Sequence, residues 1–558
     1  MEAPRFQWHV FFVALPVTIA CVAAFWTTIP PTYLTNDDVF IRLSIEGLTA
    51  PGAAPTGFVV MAHSLLGWAL VAMQNVVSVH VWDVMVAALL VWSIAIALTI
   101  VWTSSGPERA PRIAGILAML VAFVPLMSGM QFTISATLAG AVAAALAATE
   151  LFSAAPRVSV LVMSTSLLLL GLLVRLMGTA AGAVLMTTLL APLVFNARAV
   201  QTPRAVRLGA MLTIVIALTG TLLYLDGSLY GLHDEWSVYF QNAWKTARLF
   251  EWGGDVPLDA LNAMRARVGW SANDWQTLKG WWGIDTQVHS IARIADAYDA
   301  WADLAGWRAR AESLGSRLTR VDQATFARLV GESAFPLAAG LAFAAIRASR
   351  RNAAAIGATL AVFFVACVAI EIGFKELPFR LFAPLQAGLV LAIVVVAGSR
   401  GRTAPRTVQF AAGIVLVALL ARSGWVVATE TIGDVLHANA IDRQVAEVLA
   451  LRPSLLVLHA DAFPSEHWWR PFHTPPVTLA AIQLGQYQHN PLIDDYLSRS
   501  GRQPLLRAIC TDRSILVVSE EGRLQPATTF IREHYGIEVE WTEVFAGSFR
   551  VWRCTPDT

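Results

Sequence analysis

Long apolar runs recur along the chain, separated by short stretches rich in arginine or aspartate. They lie near residues 9–29, 82–103, 113–127, 136–152, 158–174, 178–195, 208–225, 333–346, 354–372, 381–398 and 408–428. A membrane span needs roughly 17 to 25 apolar residues, so the pattern predicts an α-helical polytopic membrane protein of about eleven spans, several of them short. The arginines fall in alternate connections: Arg109 and Arg112; Arg157; Arg198, Arg204 and Arg207; Arg347, Arg350 and Arg351; Arg400, Arg402 and Arg406. Cytoplasmic loops collect Lys and Arg. That bias predicts a cytoplasmic N-terminus and places residues 30–81, 226–332 and the tail from 429 on the extracytoplasmic face.

One further run, "GFVVMAHSLLGWALVAMQNVV" at 57–77, is apolar enough to span. Counting it as a span would reverse every later loop and move all the arginine clusters outside. It is therefore expected to be an interfacial or re-entrant helix covered by its neighbours. The predicted organisation is 1–225, N-terminal spans with the first outer loop 30–81; 226–332, a helical outer loop; 333–428, C-terminal spans; and 429–558, an outer α/β domain. Within the loop, "DALNAMRARV" and "QATFARLVGE" have helical periodicity. In the tail, "SLLVLHA", "SILVVSE", "IEVEWTEVF" and "FRVWRC" read as short strands, with helices at "DRQVAEVLAL" and "ATTFIREHY".

Composition agrees: 56% of the residues are hydrophobic, 14% are charged and mean hydropathy is +0.58. A soluble domain carries about a quarter charged residues. Net charge is +1 without a long basic run, so nothing points to nucleic acid. The first run, "WHVFFVALPVTIACVAAFW", is long for a signal peptide and lacks a following cleavage site, so an uncleaved span is expected. Cys510 stands just before one predicted strand and Cys554 ends another, so a disulfide between them is possible in an oxidising compartment. No cysteine or histidine spacing indicates a metal site, and no P-loop, GxSxG or HExxH motif occurs in a credible context. No internal repeat is evident.

Four groups of residues carry candidate chemistry. Asp37 and Asp38 in "YLTNDDVFIRLSIEG" could cap the helix that follows. Adjacent carboxylates also repel, which is one way a general base is tuned. Arg42 on the same helix could pair with one of them. Cations lie unusually close to the outer ends of spans: Arg175 in "LLVRLMG", and Lys375 and Arg380 with Glu371 and Glu376 in "EIGFKELPFRLFAP". They could snorkel, form a buried pair such as Glu371 with Arg175, or neutralise a phosphate. The aromatic stretches "VGWSANDWQTLKGWWGIDTQVHS" and "FPSEHWWRPFH" offer Trp270, Asp274, Trp281, Trp282, Asp285, Glu466 and Trp468, with His63 on the interfacial helix. Tryptophan beside polar groups can grip a sugar; it also packs domains onto a membrane interface. Gln131 and Thr133 in "MQFTISATLAG" could bind a ligand or simply turn the chain.

An acid pair in the first outer loop, followed by an interfacial helix and many spans ending in an outer domain, resembles the GT-C superfamily of integral membrane glycosyltransferases; in their order along the chain, "NDDVFIRLSIEG", "MQFTISA", "LLVRLMG", "VGWSANDW..LKGWW..D", "KELPFRLFAP" and "FPSEHWWRPF" resemble landmarks of a group of bacterial multi-span GT-C-like proteins. The resemblance implies a bacterial cytoplasmic-membrane enzyme that moves a sugar from a polyprenyl-phosphate donor to a glycan or glycolipid acceptor on the outer face. It implies Asp37 or Asp38 as general base, Arg175, Lys375 and Arg380 at the donor phosphate, and inversion at the anomeric carbon. Some members need a divalent metal; the first loop has no obvious third carboxylate, so no metal and no other cofactor is expected. A departure is "LTAPGAAPTG" after the acid pair, which leaves the donor sugar open. Two alternatives remain: a flippase or transporter of a lipid-linked saccharide, and a non-catalytic scaffold.

Overall fold

The computed structural model describes residues 6–153, 155–191, 201–247, 249, 258–311, 323–347, 350–374, 377–398, 403–477, 479–485 and 488–557. Lys375, Glu376, Arg198, Arg400 and Arg402, all singled out above, lie outside them. The chain is mostly α-helical. Among the described residues, nine helices are long and apolar enough to cross a membrane. Each coincides with an expected run. The runs at 158–174 and 178–195 form shorter apolar helices, Val158–Val174 and Leu176–Leu189, joined at the single extended residue Arg175.

The helix Phe132–Leu151 is the axis of the bundle and is buried along almost its whole length. Its sequence, "FTISATLAGAVAAALAATEL", is rich in small residues, which let membrane helices approach closely. At Gly140 a Cβ would strike the carbonyl of Thr179, and at Gly182 one would strike the carbonyl of Thr137. Glycine at both places brings this helix and Leu176–Leu189 together. One end of the axis starts beside the helix Asn36–Glu46. At the other end Glu150 binds Arg157 (2.9 Å) and Arg207 donates to Leu151 O (2.5 Å).

The apolar run at 57–77 contains only the helix Ser64–Gln74. Its 11 residues reach about 16 Å, well short of a bilayer core of about 30 Å. Leu65, Trp68, Met73, Val76 and Val77 stay exposed, as suits a helix lying in apolar surroundings.

The tail folds into a five-stranded sheet whose strands stand in the order β4 (Ala481–Gln483), β3 (Leu455–Leu458), β5 (Ile515–Val518), β7 (Arg550–Pro556) and β6 (Val539–Ala546). β3 pairs in parallel with β4 and β5; β7 runs antiparallel between β5 and β6. Of these, β4 was not anticipated, because "AIQ" is too short to show alternation. The disulfide between Cys510 and Cys554 is formed and ties the helix Leu505–Thr511 to β7.

β3 and β5 are wholly buried because both faces of the sheet are covered. Leu455, Val457, Ile515 and Val517 join a core with Trp270, Trp275, Leu278, Trp282 and Ile294 of the preceding loop. Leu456, Leu458, Leu516 and Val518 point the other way and are continuous with the apolar core of the bundle. Side-chain alternation along two strands thus joins loop, tail and bundle.

Several helices run across the expected domain limits. Gln201–Tyr230 passes 225, Gln323–Ile346 carries "QATFARLVGE" directly into a span, and Arg406–Ala450 passes 428. The last has 45 residues and a length of about 68 Å, so it continues far beyond a bilayer into the tail.

Three buried histidines tie the loop down. The Nε2–H groups of His289, His459 and His489 donate to the carbonyls of Asp274 (2.9 Å), Gly280 (2.7 Å) and Gly283 (2.6 Å). Burial holds each of the three at a pKa of about 4. The unfolded residues titrate near 6.5, so between these values the unfolded chain binds more protons and stability falls as pH falls. The expected result is amide protection in 272–290, taken as the exchange rate relative to the intrinsic rate at each pH, that is constant above about pH 7 and falls from about pH 6.5 towards 4. Protection that held or rose across that window would be inconsistent with these three neutral contacts.

Candidate active site at the first outer helix

The helix Asn36–Glu46 has Thr35 at its N-cap and both acids in its first turn. The structure gives the two carboxylates different surroundings. Asp38 is fully buried; its Oδ1 accepts the Phe132 N–H (3.1 Å) and its Oδ2 accepts from Thr35 Oγ1 (3.3 Å). Burial pushes its carboxyl well above the usual carboxylate range. Asp37 is half-buried, and its Oδ2 lies 3.4 Å from Arg380 Nη1. Arg380 is 39% exposed and stands in the first turn of the helix Phe379–Gly398.

Arg175 is held by Met61, donating to its carbonyl (3.1 Å) and lying 3.2 Å from its sulfur, and its guanidinium is 5.4 Å from the centre of the Phe132 ring. Phe132 therefore joins the group: its N–H binds Asp38 and its ring lies under Arg175. Gln131 caps the same helix by accepting from Ile134 N (2.9 Å), and its amide donates to Thr133 (3.2 Å). The strand Thr32–Tyr33 (β1), just before the acids, pairs with Gly129–Met130 (β2) and fixes the approach. Three helix N-termini, at Phe132, Leu176 and Phe379, start among these residues, and helix N-termini favour negative charge.

Arg42 does not pair with the acids, as it could have done. It is 1% exposed and is bound instead by Glu46 (3.0 Å), Asp83 (3.5 Å), His80 Nε2 (2.9 Å) and the carbonyls of Arg470 (2.9 Å) and His473 (2.8 Å). His80 Nδ1–H donates to Glu46 (2.7 Å). Asp83 accepts from the Tyr33 hydroxyl and from Phe472 N (2.7 Å). Of this network only Arg42 was singled out from sequence, and with other partners. A signal was present: Asp83 is an ionisable group two residues inside a span, a costly position that requires a partner.

Other expected pairings are corrected. Glu371 binds Arg328 (2.8 Å) and the Leu377 N–H (2.6 Å) rather than Arg175. Trp270, Trp282 and Trp468 are buried and present no open face. Trp270 donates to Val288 O (3.0 Å), while Trp282 donates to Arg523 O (2.8 Å) and stacks on His459. Tryptophan's large apolar body was used for core rather than for contact with ligand. Trp281 and Glu466 are half-buried. Asp274 completes a capping box with Ser271 and binds His534 (2.7 Å); Asp285 accepts from Gln287 N (2.8 Å) and the Tyr535 hydroxyl. His63 caps the helix Ser64–Gln74 and lies 3.4 Å from Asp226.

Among the described residues one group, Asp274, Glu533 and His534, has metal-ligand types close together. Asp274 and His534 already bind each other, and Glu533 accepts from Ser271 (3.2 Å).

No protein-family model matches the chain, and no curated protein matches it. Among solved structures it is similar to ArnT from Cupriavidus metallidurans bound to undecaprenyl phosphate, at 14% sequence identity and a TM-score of 0.41, over 96% of this chain and 97% of that one. The apo state of the same protein gives a TM-score of 0.38 at the same identity and coverage.

The contrast between Arg42 and Arg380 is measurable. Removing one partner of a buried charge network costs about 3–5 kcal/mol, so Arg42→Met should lower the thermal unfolding temperature of the detergent-purified protein strongly. Arg380→Gln breaks a half-exposed pair worth about 1 kcal/mol or less and should barely move it. Equal shifts would refute this ranking of the two arginines.

Proposed function

We propose that the chain is a membrane glycosyltransferase that takes a sugar from a polyprenyl-phosphate donor and transfers it to a glycan or glycolipid acceptor on the extracytoplasmic face. The observation that carries this reading is the separation of the acid pair. One carboxylate, 14% exposed, stands beside a half-exposed cation; the other is fully buried and committed to the bundle.

Asp37 is the general base. It takes the proton of the acceptor hydroxyl as that oxygen attacks the anomeric carbon, and the bond from that carbon to the phosphate oxygen breaks. The electron pair leaves with the lipid phosphate, which Arg175 and Arg380 neutralise, helped by the helix N-termini beside them. Lys375 is assigned the same role from its place in the sequence. Attack from the face opposite the phosphate inverts the anomeric centre. Arg380 suits a shared role, since its guanidinium is 39% exposed and its 3.4 Å contact with Asp37 is long enough to be exchanged for a phosphate. Asp38 is a positioning residue: it fixes the acid helix to the N-terminus of the central helix through Phe132. No step in this scheme requires a metal.

The test is transfer in membranes supplied with labelled polyprenyl-phosphate sugars. Loss of a general base costs about 10²–10⁴-fold, so Asp37→Asn should abolish measurable transfer while the protein stays folded. Arg175→Gln and Arg380→Gln should each reduce turnover. Asp38→Asn should act chiefly through reduced stability. Transfer that survives Asp37→Asn at the wild-type rate would exclude Asp37 as the base.

A further inference from the structure

The carboxyl ends of β3 and β5 hold a crevice away from the acid helix. From β3 the chain leaves towards β4 on one side; from β5 it leaves through the helix Leu524–Tyr535 towards β6 and β7 on the other. The point between two parallel strands whose connections diverge is where open α/β sheets bind ligands. A cavity of about 470 Å³ lies there, lined by Asp461, Ser519, Glu520, Glu521, Ser548 and Arg550 among others. That volume lies within the usual range for small-molecule sites.

The lining decides the kind of ligand. A helix N-terminus beside a crevice of this sort ordinarily receives a phosphate, but here Glu520 and Glu521 occupy the approach. The nearby cations are already engaged: Arg523 with Asp461 (2.6 Å) and Glu520 (3.0 Å), Arg550 with Glu521 (2.9 Å). An anion would meet three carboxylates. Each carboxylate has about four acceptor sites, more than these ion pairs use, so the crevice offers an excess of acceptors to hydroxyl donors. The floor is rigid: Ser519 Oγ lies 3.0 Å from His459 Nδ1, and His459 is fixed by Gly280 and by stacking on Trp282. The wall at Ser548 is bound to Gln444 of the long helix, through its N–H (2.8 Å) and its hydroxyl (3.1 Å).

We propose that this crevice is a binding site for an uncharged, hydroxyl-rich saccharide. Its ligand class follows from the lining; that the saccharide is the acceptor glycan rests on the glycosyltransferase reading. The site would hold a sugar chain on the tail while its end reaches the acid helix.

The test uses the full chain in lipid nanodiscs on an array of neutral and phosphorylated bacterial envelope oligosaccharides. Binding of neutral glycans is expected, weakened about tenfold or more by Glu520→Gln with Glu521→Gln, and similarly by Arg550→Gln, as for lost hydrogen bonds to charged groups. These side chains are exposed, and an unchanged unfolding temperature would show that the variants remain folded. Asp37→Asn should bind as wild type does. Failure to retain any neutral glycan, retention only of phosphorylated ones, or equal binding by the crevice variants would overturn the proposal. Crevice-dependent binding by a protein that transfers no sugar would leave this site standing and remove the transferase reading alone.

Discussion

Burying the guanidinium of Arg42 constrains everything around it. A charge removed from water must be paired and its hydrogen-bond donors satisfied, or the fold loses several kcal/mol. Its partners come from three parts of the chain: Glu46 one turn along its own helix, His80 and Asp83 at the start of a span, and two carbonyls of the tail some 430 residues away. The network can therefore be complete only when the tail is docked. Phe472 reflects the same demand: its φ of 57° is unusual for a bulky residue, and its N–H is held by Asp83.

That docking explains how two neighbouring carboxylates come to differ. Consecutive residues on a helix diverge by about 100°. Once Arg42 has fixed the rotation of the helix Asn36–Glu46, Asp38 faces the bundle and Asp37 faces Arg380. Asp38 then meets the unpaired N–H at the start of the central helix and is consumed in holding it. The difference between the two acids is thus set by Arg42, whose described partners lie elsewhere.

Much of the architecture was legible because it rests on local physics. Apolar length located the spans, short continuous apolar runs located β3 and β5, and alternation located β6 and β7. The tryptophans misled because an indole reads alike whether it lines a surface or fills a core; Trp282 and Trp270 turned inward because one face of a remote sheet required covering. Arg42 and Asp83 stand 41 positions apart and their tail partners far beyond, so no periodicity could join them. The helix Arg406–Ala450 hid its continuity because its apolar pattern ends at the membrane while its helical geometry does not.

The charge balance at the acid helix follows from the same arrangement. Three helices begin beside Arg175 and Arg380, each contributing about half a positive charge at its N-terminus. Opposite them, among the described residues, stand Asp37 and Asp38, and burial favours the neutral form of Asp38. The described cations and helix N-termini here favour negative charge. A neutral substrate would gain little from such a place. On the glycosyltransferase reading proposed above, a lipid-borne phosphate would gain most as its bond to the sugar breaks and its charge rises, so the stabilisation would be larger in the transition state than in the ground state, which is the condition for catalysis rather than mere binding.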